Sequence, residues 1–277
     1  ISLSMAMLLS VAACSERSPG KSNDSSSVSV IDQLESSSSV SLEPEKPEKA
    51  LIDKIVEAYN KNNDVIGWLR IPNTTIDQPV VQKAGAQDNN YYLKRDITKK
   101  TVPLNPGDKN AGVLFLDYEC QAGTRKEFNK NTIIYGHNLN YQDDPKDVNF
   151  AQLFNYNNEE FAKKNPNIYF STTDDDMTWV VFAAFYTDIN FNYINAKPTD
   201  TEFQFIINEA IQRSEYIYDV KVNASDKILT LSTCTYKYGK SNKNQRYVVM
   251  ARLLRPGETA PETAKITKNP SPKAPKF

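Results

Sequence analysis

The 277-residue chain has few of the residues from which several common kinds of functional site are built. Its single histidine excludes a metal site made from several histidines. Its three cysteines, at positions 14, 120 and 234, are too far apart for a zinc motif or a disulfide framework. None of its nine glycines forms a phosphate-binding loop. A formal net charge of −1 without a basic stripe argues against a nucleic-acid partner. We therefore expect neither a metal nor a cofactor.

Acidic residues are clustered in two places, at Asp143-Asp144 with Asp147 and at residues 174–176. Neither cluster has the alternating ligand spacing and closing glutamate of an EF-hand loop. We interpret both as solvated turns rather than as calcium sites.

The first residues contain a short apolar run. Residues 1–13 are too few to cross a bilayer as an ordinary helix. The sequence Val11-Ala-Ala-Cys14 resembles the lipobox of bacterial lipoproteins, in which Cys14 would be lipidated. The alternative is an uncleaved membrane anchor, truncated at its start. Both predict a domain held outside the membrane by residues 1–14.

Two segments have the composition of disordered chain. Residues 15–48 are rich in Ser, Glu, Lys and Pro, with twelve serines between positions 15 and 41, and cannot bury enough apolar surface to fold. We expect them to form a flexible tether. Residues 257–277, rich in proline and lysine, are predicted to be a disordered tail. The folded domain is then expected at residues 49–256.

Within that domain the pattern predicts a mostly β fold with peripheral helices. An N-terminal helix follows Lys49, with Leu51, Ile55, Val56 and Tyr59 on one face. Eight short apolar runs then predict strands, and so many short strands favour a barrel. The runs are 67–71, 79–81, 113–116, 132–135, 167–171, 178–187, 227–234 and 245–254.

A further helix is predicted at about residues 200–214, before the strand that leads to Cys234. Thr199 and Glu202 form a capping-box signature, and apolar residues follow at helical spacing from Phe203 to Ile211.

Three residues at the ends of predicted strands suit acyl transfer. Cys234 ends the run 227–234, His137 follows the run 132–135, and Arg246 opens the run 245–254. A thiol attacks a carbonyl as its thiolate, which a histidine can generate. An arginine can stabilise the oxyanion, because it never loses its charge. Taken singly, such a cysteine is more often a small core residue and such a histidine more often structural.

The motifs around these residues resemble class B sortases, the cysteine transpeptidases of Gram-positive bacteria. The resemblance lies in Thr-Leu-Ser-Thr-Cys at 230–234, Tyr-Gly-His at 135–137 and Arg246 in Arg-Tyr-Val-Val. Further similar blocks begin at Gly67 and at Asn89. The resemblance implies an eight-stranded sortase barrel with an N-terminal helix and with the inserted helix as a wall of the substrate groove.

What the resemblance implies for function is cleavage of an Asn-Pro-X-Thr sorting signal after its threonine. Cys234 would carry the thioacyl intermediate, His137 would act as acid and base, and Arg246 would orient the substrate. An amine of a peptidoglycan cross-bridge or of a pilin would then accept the surface protein. Positions that match the family's substrate groove are Ser232, Thr233, Tyr193, Ile194, Leu93 and Asn89. The chain departs from some relatives at Thr235-Tyr236, where they have an acidic residue.

Two other functions stay open on the sequence. The same three residues could serve an extracytoplasmic cysteine hydrolase that uses water, although papain-like enzymes place the cysteine before the histidine and here His137 precedes Cys234 by 97 residues. The chain could also be a surface lipoprotein that only binds, with both residues buried. A Cys120–Cys234 disulfide would block the nucleophile and is not expected.

Overall fold

The computed structural model describes residues 43–108 and 112–277. The described residues form ten strands, three α-helices and a 3-10 helix at Asn149–Asn157. The α-helices are α1 (Lys49–Lys61), α2 (Glu159–Lys164) and α3 (Asp200–Arg213). The strands are β1 (Val65–Arg70), β2 (Asp77–Val81), β3 (Leu114–Leu116), β4 (Asn131–Tyr135), β5 (Asn167–Ser171), β6 (Thr178–Asp188), β7 (Tyr216–Tyr218), β8 (Ile228–Cys234), β9 (Gln245–Leu253) and β10 (Ile266–Lys268).

Eight strands close into a barrel in the order β1-β2-β3-β4-β8-β9-β6-β5. The pairs β2–β3 and β4–β8 are parallel, and the others are antiparallel. All eight correspond to the apolar runs in the sequence, so the predicted eight-stranded barrel is confirmed. The short strands β7 and β10 were not predicted and form a separate two-stranded sheet.

The sequence of strand β6 is a nearly continuous apolar run because both faces of the strand are covered. Trp179 and Val181 pack in one cluster with the barrel interior, whereas Phe182 and Phe185 pack with residues of α3. A strand covered on both faces needs apolar residues at nearly every position. The inserted helix is therefore a second layer over one side of the barrel.

The predicted helices are confirmed, with one difference in orientation. Thr199 caps α3 through a complete capping box with Glu202. In α1 the side chains that face the barrel are Ile55 and Ala58, whereas Val56 and Tyr59 are exposed by 44% and 50%. The prediction that Val56 and Tyr59 share one face with Leu51 and Ile55 was therefore wrong, since apolar residues three or four apart define more than one possible face.

The boundaries of the folded domain differ from the prediction at both ends. Residues 43–48, expected to belong to the tether, already contact the domain, because Glu45 donates its backbone N–H to Asp175. Residues 257–277 are not a disordered tail: β10 pairs with β7, and Lys273 forms an ion pair with Glu209 of α3. The prediction of disorder from composition was wrong here, because a proline-rich segment can pack when a folded surface supplies its partners. Cys14 and residues 1–42 lie outside the described residues.

Asp175 contradicts the prediction of a solvated turn at residues 174–176. It is fully buried, and both of its oxygens accept hydrogen bonds from Arg125. No group of three or more His, Cys, Asp or Glu side chains suited to a metal ion occurs in ranges 43–108 and 112–277. In those same ranges no helix has the length and apolarity needed to cross a bilayer.

Candidate active site

The parallel pairing of β4 with β8 brings His137 and Cys234 to the same edge of the barrel. Tyr135, the last residue of β4, is paired with Ser232 of β8. His137 lies two residues beyond Tyr135, and Cys234 lies two residues beyond Ser232. Because parallel strands run in one direction, both residues come to the same level at the carboxyl ends of the strands.

Arg246 is placed beside Cys234 by the antiparallel partner strand. Cys234 and Arg246 are directly opposite each other in the β8–β9 pair. The Nη1 atom of Arg246 donates to the carbonyls of Lys243 and Gln245, at 2.8 and 2.9 Å. Its Nε and Nη2 atoms have no partner within the described part of the chain, so they are available to a bound substrate.

These three side chains line one cavity of about 270 Å³. The predicted substrate-binding residues Ser232, Thr233, Leu93 and Asn89 line the same cavity. Its remaining lining residues, which were not predicted to bind substrate, are Asn90, Phe115, and the Tyr135 and Gly136 of the Tyr-Gly-His motif. A nucleophile, a base and a cation therefore line the same cavity, and the rest of its wall is partly polar and partly apolar.

His137 is held in one tautomer by its surroundings. Its Nε2 atom lies 2.7 Å from the carbonyl oxygen of Leu93. Because a carbonyl can only accept, Nε2 must carry the hydrogen, which leaves Nδ1 free to take a proton. Burial lowers the pKa of His137, and the Leu93 carbonyl opposes that effect. A lowered pKa favours the neutral imidazole at neutral pH, the form that can act as a base.

The imidazole also rests against Gly112, whose backbone has a φ of +85°. A Cβ atom at this position would lie 2.7 Å from Cδ2 of His137 and 3.3 Å from Nε2. Glycine is therefore required here twice, for the left-handed backbone and for the space that the ring occupies.

The other predicted groove residues differ in how they relate to the cavity. Tyr193 is 4% exposed and lies behind the wall, where its hydroxyl is 2.8 Å from Oγ of Ser232. Burial raises the pKa of Tyr193 to about 12, so it remains a neutral hydrogen-bonding group. Ile194 is 37% exposed and is not part of the cavity lining. Its role as a groove residue stays a prediction.

One wall of the cavity depends on Asp117, which the sequence did not single out. The carboxylate is buried, and its Oδ2 atom accepts from Tyr135 at 2.7 Å and from Asn89 at 2.8 Å. The Oδ1 atom of Asn89 accepts from the backbone N–H of Tyr118. Asn89 thus already has protein partners for both ends of its amide.

Cys120 lies in the core, apart from this cavity. It is a free thiol, 5% exposed, and burial raises its pKa to about 12. Cys234 is also free and is only partly buried. Since thiolates are the reactive form of cysteine, Cys120 is expected to be inert at neutral pH.

A larger cleft of about 500 Å³, next to the start of β8, lacks comparable chemistry. Its two arginines are already paired, Arg125 with Asp175 and Arg255 with Asp226. It has neither a cysteine nor a histidine in its lining. The candidate active site is therefore identified by the residues that line it and not by the volume of the cavity.

Comparison with known proteins agrees with this geometry. A family model described as the sortase domain matches residues 69–254. Sortase B of Listeria monocytogenes is 32% identical over 204 residues, which cover 73% of this chain and 74% of the relative. A Staphylococcus aureus sortase B–substrate complex aligns with a TM-score of 0.61 at 27% identity, over 74% of this chain and 86% of that one. A sortase B complexed with triglycine aligns with a TM-score of 0.59 at 28% identity, over 72% and 85% of the two chains.

The matched range contains the whole barrel except the first four residues of β1, together with Cys234, His137 and Arg246. The resemblance noted in the motifs is therefore confirmed over most of the folded domain. The chain belongs to the sortase family of cysteine transpeptidases, and within that family to class B.

Proposed function

We propose that this transpeptidase cleaves an Asn-Pro-X-Thr sorting signal after its threonine and transfers the threonine carbonyl to an amine. The observation that carries the proposal is the alignment of Cys234 with His137 through the parallel β4–β8 register, with Arg246 opposite the thiol. The Staphylococcus aureus relative in complex with a substrate supports the class of ligand for such a cavity.

The first step forms an acyl-enzyme. The thiol of Cys234 gives its proton to neutral His137, the resulting thiolate attacks the threonine carbonyl, and negative charge develops on the carbonyl oxygen. The Nε and Nη2 donors of Arg246 stabilise that oxyanion, an interaction that becomes stronger as the charge develops. When the tetrahedral intermediate collapses, the imidazolium of His137 gives its proton to the leaving amine, and a thioester on Cys234 remains.

The second step reverses these roles. An incoming amine gives a proton to His137 and attacks the thioester carbonyl. Collapse of this second intermediate expels the Cys234 thiolate, which takes the proton back from His137, and leaves a new amide bond. The sortase B in complex with triglycine supports an amine acceptor in this class. For this chain we propose a peptidoglycan cross-bridge or a pilin as the source of the amine.

Hydrolysis by water remains the second candidate, because water could resolve the same thioester. The partial exposure of Cys234 leaves room for either nucleophile. A binding protein without activity, in contrast, does not agree with membership of an enzyme family or with an open cavity at the thiol.

Sortases are extracytoplasmic, and we propose that residues 1–14 attach this enzyme to the bacterial membrane, either through lipidated Cys14 or through a membrane-spanning segment. Mass spectrometry of the protein released from membranes would distinguish the two, since lipidation adds acyl mass to Cys14.

The function is tested by incubating the chain with a library of Asn-Pro-X-Thr peptides, with and without triglycine. We expect a thioester on Cys234 and, with triglycine, a ligated product, both detected by mass spectrometry. Cys234→Ala should form neither product, whereas the matched variant Cys120→Ser should form both. Cleavage without amine capture would favour the hydrolase, and the absence of any adduct would contradict the proposal.

A further inference from the structure

The carboxylate of Asp143 connects the chain that follows His137 to the chain that follows Cys234. Its Oδ2 atom accepts from the hydroxyl of Thr235 at 2.5 Å. The backbone N–H of Tyr236 donates to both oxygens, at 3.1 Å to Oδ1 and 3.0 Å to Oδ2. One side chain thus binds both residues that come directly after the thiol.

Asn138, which directly follows His137, completes the connection. Its Nδ2 atom donates to Oδ1 of Asp143 at 2.7 Å and to the carbonyl oxygen of Cys234 at 3.1 Å. Asn138 and Thr235 are almost fully buried, at 2% and 1% exposure. We refer to Asn138, Asp143, Thr235 and Tyr236 as the clamp. Within it, Asn138 and Asp143 together contact Cys234 and the two residues that follow it.

The backbone at Asp143 is consistent with a constrained position. Its φ of +53° lies in the left-handed region, where a residue other than glycine persists when its surroundings hold it there. The rings of Tyr141 and Tyr236, with centroids 4.7 Å apart in an edge-to-face arrangement, join the same two segments. Two independent kinds of contact therefore hold the segments together.

Asp143 does not act as the third member of a catalytic triad. The ring nitrogen Nε2 of His137 is bonded to the carbonyl of Leu93, and the carboxylate of Asp143 is occupied by the clamp. Any effect of Asp143 on the reaction must therefore pass through the backbone that carries Cys234 and His137.

We propose that Asp143 is a positioning residue that fixes the chain directly after β8 to the chain after His137, and so sets Cys234 relative to His137. This inference rests on the proposed function, since it assigns the clamp to the same reaction. The β4–β8 register ends at the pair Tyr135 and Ser232. Beyond that pair the hydrogen bond from Thr233 to the carbonyl of Gly136 and the contacts of the clamp hold the two segments together.

The first test measures the clamp without using activity. In the unsubstituted protein, hydrogen exchange at the backbone N–H of Tyr236 should be slow, because that N–H donates to the carboxylate of Asp143. In Asp143→Ala the exchange should be about tenfold faster or more. Asp144→Ala is the matched control. Asp144 lies in the same turn, but among the described residues its carboxylate accepts a hydrogen bond only from the backbone N–H of Lys146. Equal exchange rates at Tyr236 in the unsubstituted protein and in Asp143→Ala would overturn the inference.

The second test separates positioning from folding. For cleavage of a sorting peptide, Asp143→Ala should lower kcat about tenfold or more and leave KM within about twofold, since a small misplacement of reacting groups slows chemistry more than binding. Thr235→Val should act in the same direction, and Thr235→Ser, which keeps the hydroxyl, should restore most of kcat. In the double variant Asp143→Ala with Thr235→Val, the loss should be smaller than the product of the two single losses.

The two proposals fail in different ways. An active enzyme in which Asp143→Ala keeps its kcat, or in which Asp144→Ala loses as much, overturns the clamp and leaves the proposed function intact. A fall in kcat on Asp143→Ala that Thr235→Val does not share also overturns the clamp. If hydrogen exchange confirms the contacts but no peptide or amine reacts, the proposed function is overturned. The catalytic role of the clamp is then overturned with it.

Discussion

Gly112→Ala tests whether the position of the imidazole controls activity. The new Cβ atom would lie 2.7 Å from Cδ2 of His137, whereas an ordinary contact begins at 3.4 Å. The ring would have to move by about 0.7 Å, and a shift of that size along its 2.7 Å bond to the carbonyl of Leu93 would lengthen this bond to roughly 3.4 Å, beyond the usual range. His137 would then lose the contact that fixes its tautomer.

We expect a fall in kcat on the order of 100-fold, the cost of a misplacement near 1 Å. The left-handed φ at Gly112 adds a separate cost of about 1–2 kcal/mol in the free energy of unfolding, because alanine tolerates that region poorly. The matched control is Gly85→Ala. Gly85 also has a positive φ, of +69°, but a Cβ there would have no neighbour within 4 Å.

The assay compares both variants by peptide cleavage and by urea unfolding. Both should lose about 1–2 kcal/mol of stability, but only Gly112→Ala should lose kcat. If Gly112→Ala unfolds like the control and cleaves peptide at the rate of the unchanged chain, then this contact does not hold the imidazole in its active position.

Three further predictions concern the base, the oxyanion donor and the C-terminal segment. Burial lowers the pKa of His137, so the unfolded chain binds the proton more strongly than the folded chain does. The free energy of unfolding should therefore be highest above a pH of about 6.5 and should fall as the pH decreases toward the folded pKa. In His137→Gln the urea midpoint should depend less on pH in that window, and an equal slope would contradict the pKa shift. Arg246→Lys should lower kcat/KM roughly 100-fold, because an ammonium cannot replace the Nε and Nη2 donors; unchanged efficiency in steady-state kinetics would remove the oxyanion role. Deletion of residues 264–277 removes the β10–β7 pairing and the ion pair of Lys273 with Glu209, so the free energy of unfolding in urea should fall by about 1–3 kcal/mol; an unchanged value would mean that the segment packs without stabilising the domain.

The strands and the reactive residues could be predicted because their signals are local. Each barrel strand is an apolar run bounded by polar loops, and Thr199 with Glu202 marks the start of α3 within four residues. Cys234, His137 and Arg246 each lie where such a run ends or begins, so their position at a barrel edge follows from the same pattern. Residue chemistry and the motif resemblance supplied the rest.

The partners across the fold could not be predicted, because they depend on pairing between distant segments. No local pattern states that β4 lies parallel to β8, or that the carboxylate of Asp143 meets Thr235, 92 residues away. The same limit applies to the C-terminal segment. Its composition is that of disordered chain, and the partners that order it are supplied by distant parts of the fold, among them β7, α3 and Asp188 at the end of β6.

The position of Cys234 is fixed first by the register of β8 and only then by the loops. A slip of one residue would turn Cys234 to the opposite face of the strand. Buried hydrogen bonds oppose that slip, since Thr230 donates to the side chain of Asn131 at 2.7 Å and Thr233 donates to the carbonyl of Gly136 at 2.8 Å. A slipped register would leave these polar groups buried without partners, at a cost of about 1–3 kcal/mol each. The barrel therefore determines which way the thiol faces, and the clamp acts on the smaller remaining freedom at the end of the strand.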